Sequence, residues 1–162
     1  YETIRERVVT FACSCAEKLR KEKSNCNVIM VFIQTNRHQN TQKQYGRNIV
    51  IKTEFPTNSS IEIAKIAIVG LNKIFKTGFN YKKAGIVVMD LTPENQQQLN
   101  LFNNSNPKHL KLMQTIDKLN YSIGSQKIKL ASQGMGRTWK MKQEKLSPRY
   151  TTQINEIITV RI

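Results

Sequence analysis

Residues 27–35, NVIMVFIQT, decide the fold of this 162-residue chain. They are β-branched or apolar almost without interruption, which predicts a strand buried at the centre of a sheet. A second strand is predicted over residues 49–55, where Ile49 and Ile51 alternate with Val50 and Lys52. Residues 84–91, AGIVVMDL, predict a third, buried strand.

Two amphipathic helices are predicted around these strands. Apolar residues recur every three or four positions near the start of the chain, at Ile4, Val8, Phe11, Cys15 and Leu19. Capping boxes are predicted at Thr3–Glu6 and Ser59–Glu62, and Thr77-Gly78 ends the second helix. The order helix, strand, strand, helix, strand predicts an α+β fold. It is a ferredoxin-like βαββαβ plait without its first strand, with an antiparallel sheet and both helices on one face.

The last third of the sequence predicts a linker and a small helix–hairpin tail. Residues 92–107 are a polar linker, and Asn106-Pro107 then suits a helix N-cap and first turn. We expect the inner side of this helix to carry Leu112, Ile116 and Leu119. A hairpin around residues 134–136 is predicted from alternating residues with one apolar face: Ile128, Leu130, Trp139 and Met141. We expect Trp139 to anchor the tail.

The charge balance indicates a polyanionic partner. Lys and Arg number 26 against 11 Asp and Glu, a formal charge of +15, which favours association with nucleic acid over a role confined to solubility. Residues 24–53 contain no acid. Within this region we predict contacts to the phosphates of duplex DNA from Arg37, His38, Lys43, Arg47 and Lys52. The alternative is a solvated basic loop.

Catalytic and metal chemistry find little support in the sequence. Three cysteines and two histidines show no zinc spacing, and we expect the cysteines to be reduced in a cytoplasmic protein. Acidic residues such as Asp90 and Glu62 suit structural roles better than catalysis, since no nucleophile–base set accompanies them. No signal peptide or membrane-spanning run is found, so no membrane association is expected. No cofactor is expected in this chain either.

Residues 98–102, QLNLF, place three large apolar side chains inside the polar linker. An exposed apolar cluster on a loop is a candidate anchor for a partner's pocket. The pattern resembles the peptide with which bacterial polymerases and repair proteins bind the sliding clamp. The resemblance implies that the clamp-binding residues are Gln98, Leu99, Leu101 and Phe102. The alternative is a loop that packs into its own domain.

Motifs along the whole chain resemble the C-terminal part of the UmuC-type Y-family translesion DNA polymerases (the polymerase V type). They include AEKLR (16–20), YKKAG (81–85), WKMK (139–142) and LSPRYTT (146–152). The resemblance implies a DNA-holding little finger over residues 1–91, a clamp-binding linker over 92–107 and a C-terminal tail over 108–162. Within LSPRYTT, Arg149 and Tyr150 are candidates for a partner-binding surface.

What this family does sets the functional expectation. It implies a role in translesion synthesis and the SOS response, with the sliding clamp, UmuD′ and the RecA filament as partners of the parent protein. The palm carboxylates that bind Mg²⁺ are absent, so this chain is expected to incorporate no nucleotide. The alternatives are an autonomous basic RNA- or DNA-binding module on a ferredoxin-like sheet and a pure protein-interaction domain.

Overall fold

The computed structural model describes residues 1–39, 41–96, 106–124, 126–134, 136 and 145–157. Its helices and strands are, in chain order, α1 (Glu2–Lys21), β1 (Ser24–Thr35), β2 (Gly46–Thr57), α2 (Ser60–Ile74), β3 (Tyr81–Pro93) and α3 (Pro107–Ile123). Short 3₁₀ helices cover Glu94–Gln96, Ala131–Gln133 and Ile154–Glu156. The residues of the clamp motif, Trp139 and Met141 lie outside the described residues.

The three strands form an antiparallel sheet in the order β2-β1-β3, so the α+β prediction is confirmed. The apolar strand β1 is central: Ile29 pairs with Ile51 on β2 and with Val88 on β3. Strands flank β1 on both sides and shield its side chains on both faces, so none of its residues is exposed; this explains why β1 is almost continuously apolar whereas β2, at the edge, alternates.

The core lies between the sheet and the two helices packed on one of its faces. From β1, Ile29, Val31 and Ile33 are fully or almost fully buried. The helices contribute Val8, Val9, Ala12, Ile63, Ala67 and Leu71. Because α1 packs against α2 as well as the sheet, its buried face includes small residues that permit close approach, and Phe11, predicted in the stripe, is 36% exposed.

Neither helix starts with the predicted capping box. Helix α1 begins earlier, at Glu2, and the carbonyl of Tyr1 accepts the amides of Ile4 and Arg5 at 2.9 Å. Ser59 is the N-cap of α2, as predicted, but its side chain makes no capping bond. Instead the Glu62 carboxylate bonds the Thr57 hydroxyl and the Nδ1 of His109, so the box residues are used in tertiary contacts.

Helix α3 begins where predicted, with the Asn106 side chain accepting the Lys108 amide at 3.0 Å. Its predicted inner side is wrong for Leu112 and Leu119, which are 45% and 37% exposed, whereas Met113 is 1% exposed. Polar contacts set the rotation of α3 about its own axis. They turn the neighbouring positions 109, 113 and 117 towards the domain, because His109 and Asp117 find partners there.

Arg20 is one of the residues that hold α3 against the rest of the fold. Its guanidinium donates to both Asp117 carboxylate oxygens at 2.6 and 2.7 Å, and to the Asn58 carbonyl at 2.7 Å. It also donates to the Ser60 hydroxyl at 3.1 Å. A single side chain on α1 therefore ties together α1, the start of α2 and α3.

The first strand of the predicted tail hairpin is not present. Residues 127–130 form no strand, and a 3₁₀ helix follows at Ala131–Gln133. The Asn120 side chain accepts the Ile128 amide at 2.8 Å and donates to the Ile128 carbonyl at 2.9 Å. The backbone of Ile128 is thus satisfied by a side chain of α3, where the prediction required a partner strand.

Candidate nucleic-acid interface

Strand pairing collects basic side chains at one end of the sheet. Arg37 and His38 follow β1 directly, and Lys43 lies in the loop that leads into β2. Antiparallel pairing places Lys83 of β3 opposite Gln34, next to that loop. We call this region the cationic end and define it by Arg37, Lys43, Arg47, Lys76, Lys82 and Lys83.

The charges of the cationic end are not neutralised by the domain. Arg37, Lys43, Arg47, Lys82 and Lys83 are exposed. None of them forms an ion pair with a described residue. Acidic residues such as Glu54, Asp90 and Glu94 lie towards the other end of the strands, where Asn27 donates to the Asp90 carbonyl. The sheet is therefore electrically asymmetric along its strands, and its cationic end attracts anions.

One glutamine organises the loop that carries Arg37, His38 and Lys43. The side-chain amide nitrogen of Gln44 lies 3.0–3.1 Å from the carbonyl oxygens of Asn36, Gln39 and Gln42, which share its two hydrogens. Its oxygen accepts the Thr35 hydroxyl at 2.7 Å. These bonds reduce the number of loop conformations, so the basic side chains start from a restricted geometry.

An aromatic cluster supports the same end of the sheet. The Tyr45 ring lies 4.9 Å from the Phe79 ring and 6.1 Å from the Tyr81 ring. The Tyr45 hydroxyl donates to the Ile74 carbonyl at 2.8 Å, and the Lys76 ammonium lies 5.4 Å from the Tyr45 ring centroid. The cluster connects the loop before β2 to the end of α2 and the start of β3.

Of the five predicted DNA contacts, Lys52 lies outside the cationic end, and Arg47 lies within it but on the helix side of the sheet. Lys52 pairs with Val28 of β1. At the rise per residue of a β-strand, Val28 lies about 20 Å from Gln34, which is at the cationic end. Arg47 pairs with the core residue Ile33, so it projects from the helix side of the sheet. The sequence does not predict Lys82 and Lys83 as contacts, although they lie in the motif YKKAG, because their position depends on the pairing of β3 with β1.

The open face of the sheet, opposite the helices, is largely aliphatic. Met30 of β1 pairs with Val50 and Val87, which are 57% and 39% exposed. Phe32 lies over Gly85, where an added Cβ would come within 2.6 Å of the phenylalanine Cζ. Gly85 therefore gives the ring the space to lie flat on the sheet.

The cysteine thiols are unsuited to nucleophilic or redox chemistry. Burial raises the pKa of Cys13 from 9.0 to about 11 and that of Cys26 to about 12. Burial also raises the pKa of Cys15. In the described ranges no group of three His, Cys, Asp or Glu side chains could hold a metal ion.

The predicted partner-binding tail residues are accessible. Arg149 and Tyr150 are exposed, and the Arg149 amide donates to the Glu156 carboxylate within the segment 145–157.

None of the helices in the described residues has the length and apolar character that a membrane span requires.

Fold and surface together define a basic α+β domain with an antiparallel sheet and a cationic end. Residues 1–101 match the impB/mucB/samB family C-terminal domain, and residues 110–160 match a domain of unknown function (DUF4113). The chain therefore belongs to the impB/mucB/samB family, and the UmuC-type resemblance is confirmed.

Named relatives agree with this assignment. Protein UmuC of Salmonella typhimurium strain LT2 is 37% identical over 163 residues, covering 99% of this chain and 39% of UmuC. Protein SamB of Salmonella typhimurium is 37% identical over 164 residues, covering 100% of this chain and 38% of SamB. The chain thus spans under two fifths of the length of these relatives and corresponds to their C-terminal part. No solved structure matches significantly.

Proposed function

We propose that this chain is the DNA-holding and clamp-binding C-terminal region of an error-prone translesion DNA polymerase that acts in DNA repair and the SOS response. The observation that carries the proposal is the cationic end, where pairing of β1 with β2 and β3 gathers exposed basic side chains that no described carboxylate neutralises. Membership of the impB/mucB/samB family supports it.

The ligand we propose for the cationic end is duplex DNA, held by its phosphates. Lysine and arginine side chains on loops and strand ends can neutralise phosphates without reading bases, which suits a protein that acts on many sequences. The open face supplies mainly aliphatic side chains, and Phe32 is its one aromatic residue on β1. Stacking of unpaired bases, which RNA readers with such sheets use, is therefore poorly supported.

The linker and the parent protein complete the proposal. Gln98, Leu99, Leu101 and Phe102 would bind the sliding clamp and hold the domain near a primer terminus. Nucleotide transfer and its Mg²⁺ ions would belong to a palm domain of the parent protein, so this chain alone would incorporate no nucleotide. UmuD′ and the RecA filament are the further partners that the family suggests.

A salt titration of DNA binding tests the central part. If phosphate contacts dominate, affinity for duplexes should be nearly independent of sequence and should fall steeply with salt. Lys83→Gln should reduce the slope of log affinity against log salt by about one. Lys65→Gln, at an exposed lysine of α2 on the helix layer, is the matched control and should leave the slope unchanged. A flat salt dependence, or equal effects of both substitutions, would reject the proposal.

A further inference from the structure

Helix α3 carries an apolar flank that neither the domain core nor the proposed DNA contacts use. Leu112, Leu119 and Ile123 are 45%, 37% and 61% exposed. Their spacing puts them within about 40° of one another around the helix and along about 17 Å of its axis. We call these three residues the α3 flank. Leu119 and Ile123 are one turn apart and Leu112 lies two turns before Leu119, so the three side chains line one side of the helix as an apolar ridge.

The position of this ridge is fixed by contacts on the inner side of α3. Asp117 bonds Arg20, and the Nδ1 of His109 lies 2.9 Å from the Glu62 carboxylate. The outermost positions of the helix are the polar residues Lys111, Lys118 and Ser122, all exposed. The α3 flank is therefore a side wall of the molecule, and it does not form the outermost surface.

The charges around the α3 flank are positive. Residues 106–136 contain five lysines and a single acid, Asp117, which is paired with Arg20. Lys108 lies one turn before Leu112, and the Lys127 side chain lies against Gly124, next to Ile123. The opposite flank, with Leu110 and Tyr121, borders a groove of mixed charge, lined by Glu17, Glu94 and Asp117 and by Arg20, Lys21 and Lys118.

We propose that the α3 flank is a docking surface for an acidic protein partner that places apolar side chains along the ridge and carboxylates beside its lysines. Charge complementarity favours this occupant. A second copy of the chain would bring the same lysines together, which is unfavourable. A bilayer surface requires the apolar side to face outward, whereas polar residues occupy the outermost positions of α3. The inference goes beyond the proposed DNA and clamp binding and does not depend on it.

The test uses a defined probe and the full chain. The probe is a synthetic amphipathic helix with a leucine stripe flanked by glutamates, titrated into isotope-labelled protein while amide NMR shifts are followed. We expect shifts centred on residues 112–123. Leu112→Ser should weaken binding by about tenfold or more, as expected for loss of a large apolar contact. The control is Leu110→Ser: both leucines are 45% exposed on the same helix, about 160° apart around it, so binding should be unchanged.

Several outcomes would overturn the proposal. These are no binding of the probe at millimolar concentration, equal weakening by the two serine variants, or undiminished binding when the probe's leucines are replaced by serine. If Leu112→Ser instead abolishes a concentration-dependent dimer in sedimentation, the flank is a self-association surface. If it abolishes binding to phosphatidylserine vesicles that the probe cannot displace, the flank is a membrane surface. Leu119→Ser repeats the test at a second position, and circular dichroism checks that each variant is folded.

Discussion

Replacing Arg20 with alanine should release α3 from the domain. The Arg20 side chain is 8% exposed, and it donates to Asp117, the Asn58 carbonyl and the Ser60 hydroxyl. Removing one partner of a buried ion pair costs about 3–5 kcal/mol, because the remaining charge stays desolvated. Since the Asp117 side chain is 30% exposed, water can reach it, and we expect a loss of about 2–4 kcal/mol in the free energy that holds α3 in place.

Native-state hydrogen exchange measures this loss segment by segment. In Arg20→Ala, amides of residues 111–123 should lose protection, while those of β1 should keep most of theirs. Arg5→Ala is the matched control, since Arg5 lies on the same helix and pairs with Glu2 in an exposed ion pair. Exposed pairs contribute about 0–1 kcal/mol, so this variant should change little. Unchanged protection of α3 in Arg20→Ala, or equal effects of both variants, would refute the argument.

Three further predictions concern the linker, the open face and the thiols. Leu101→Ala combined with Phe102→Ala should weaken binding to the sliding clamp by about 100-fold in calorimetric titration, and unchanged affinity of the folded variant would reject the motif. Gly85→Val should reduce the urea unfolding free energy by about 1–3 kcal/mol, because the new side chain meets the Phe32 ring; an unchanged midpoint would contradict this. Burial raises the pKa of Cys26 from 9.0 to about 12, so the stability from its protonated thiol is present below pH 9 and is lost as pH rises through this range; unfolding at pH 8 and 10 should show the decrease, whereas Cys26→Ala should show less.

The sheet could be predicted from the sequence because its signals are local. Residues 27–35 are apolar on both faces of a strand, which favours a central position, where strands on both sides shield even the face that no helix covers. The same reasoning located the first residue of α3 at Pro107, since a proline following a capping asparagine favours a helix start. Apolar periodicity and turn chemistry therefore give the element order and the central strand.

Contacts between distant segments could not be predicted in this way. Lys83 reaches the cationic end because β3 pairs with β1. Asp117 turns inward because it bonds Arg20, a residue 97 positions away in the sequence. Apolar spacing alone put Leu112 on the inner side of α3. The ion pair of Asp117 and the contact of His109 with Glu62 rotate the helix and expose that leucine. The spacing of apolar residues within one helix does not reveal partners that are distant in the sequence.

The measurement that tests the central claim most directly is an NMR footprint of a short DNA duplex on the isotope-labelled chain. The account predicts that amide shifts concentrate at the cationic end, in residues 36–47 and 81–84, and that added salt reverses them. Another lysine-rich surface lies on α3 and the residues after it, at Lys108, Lys111, Lys118, Lys127 and Lys129. Shifts confined to that surface, with none in residues 36–47 and 81–84, would contradict the claim that the cationic end holds DNA.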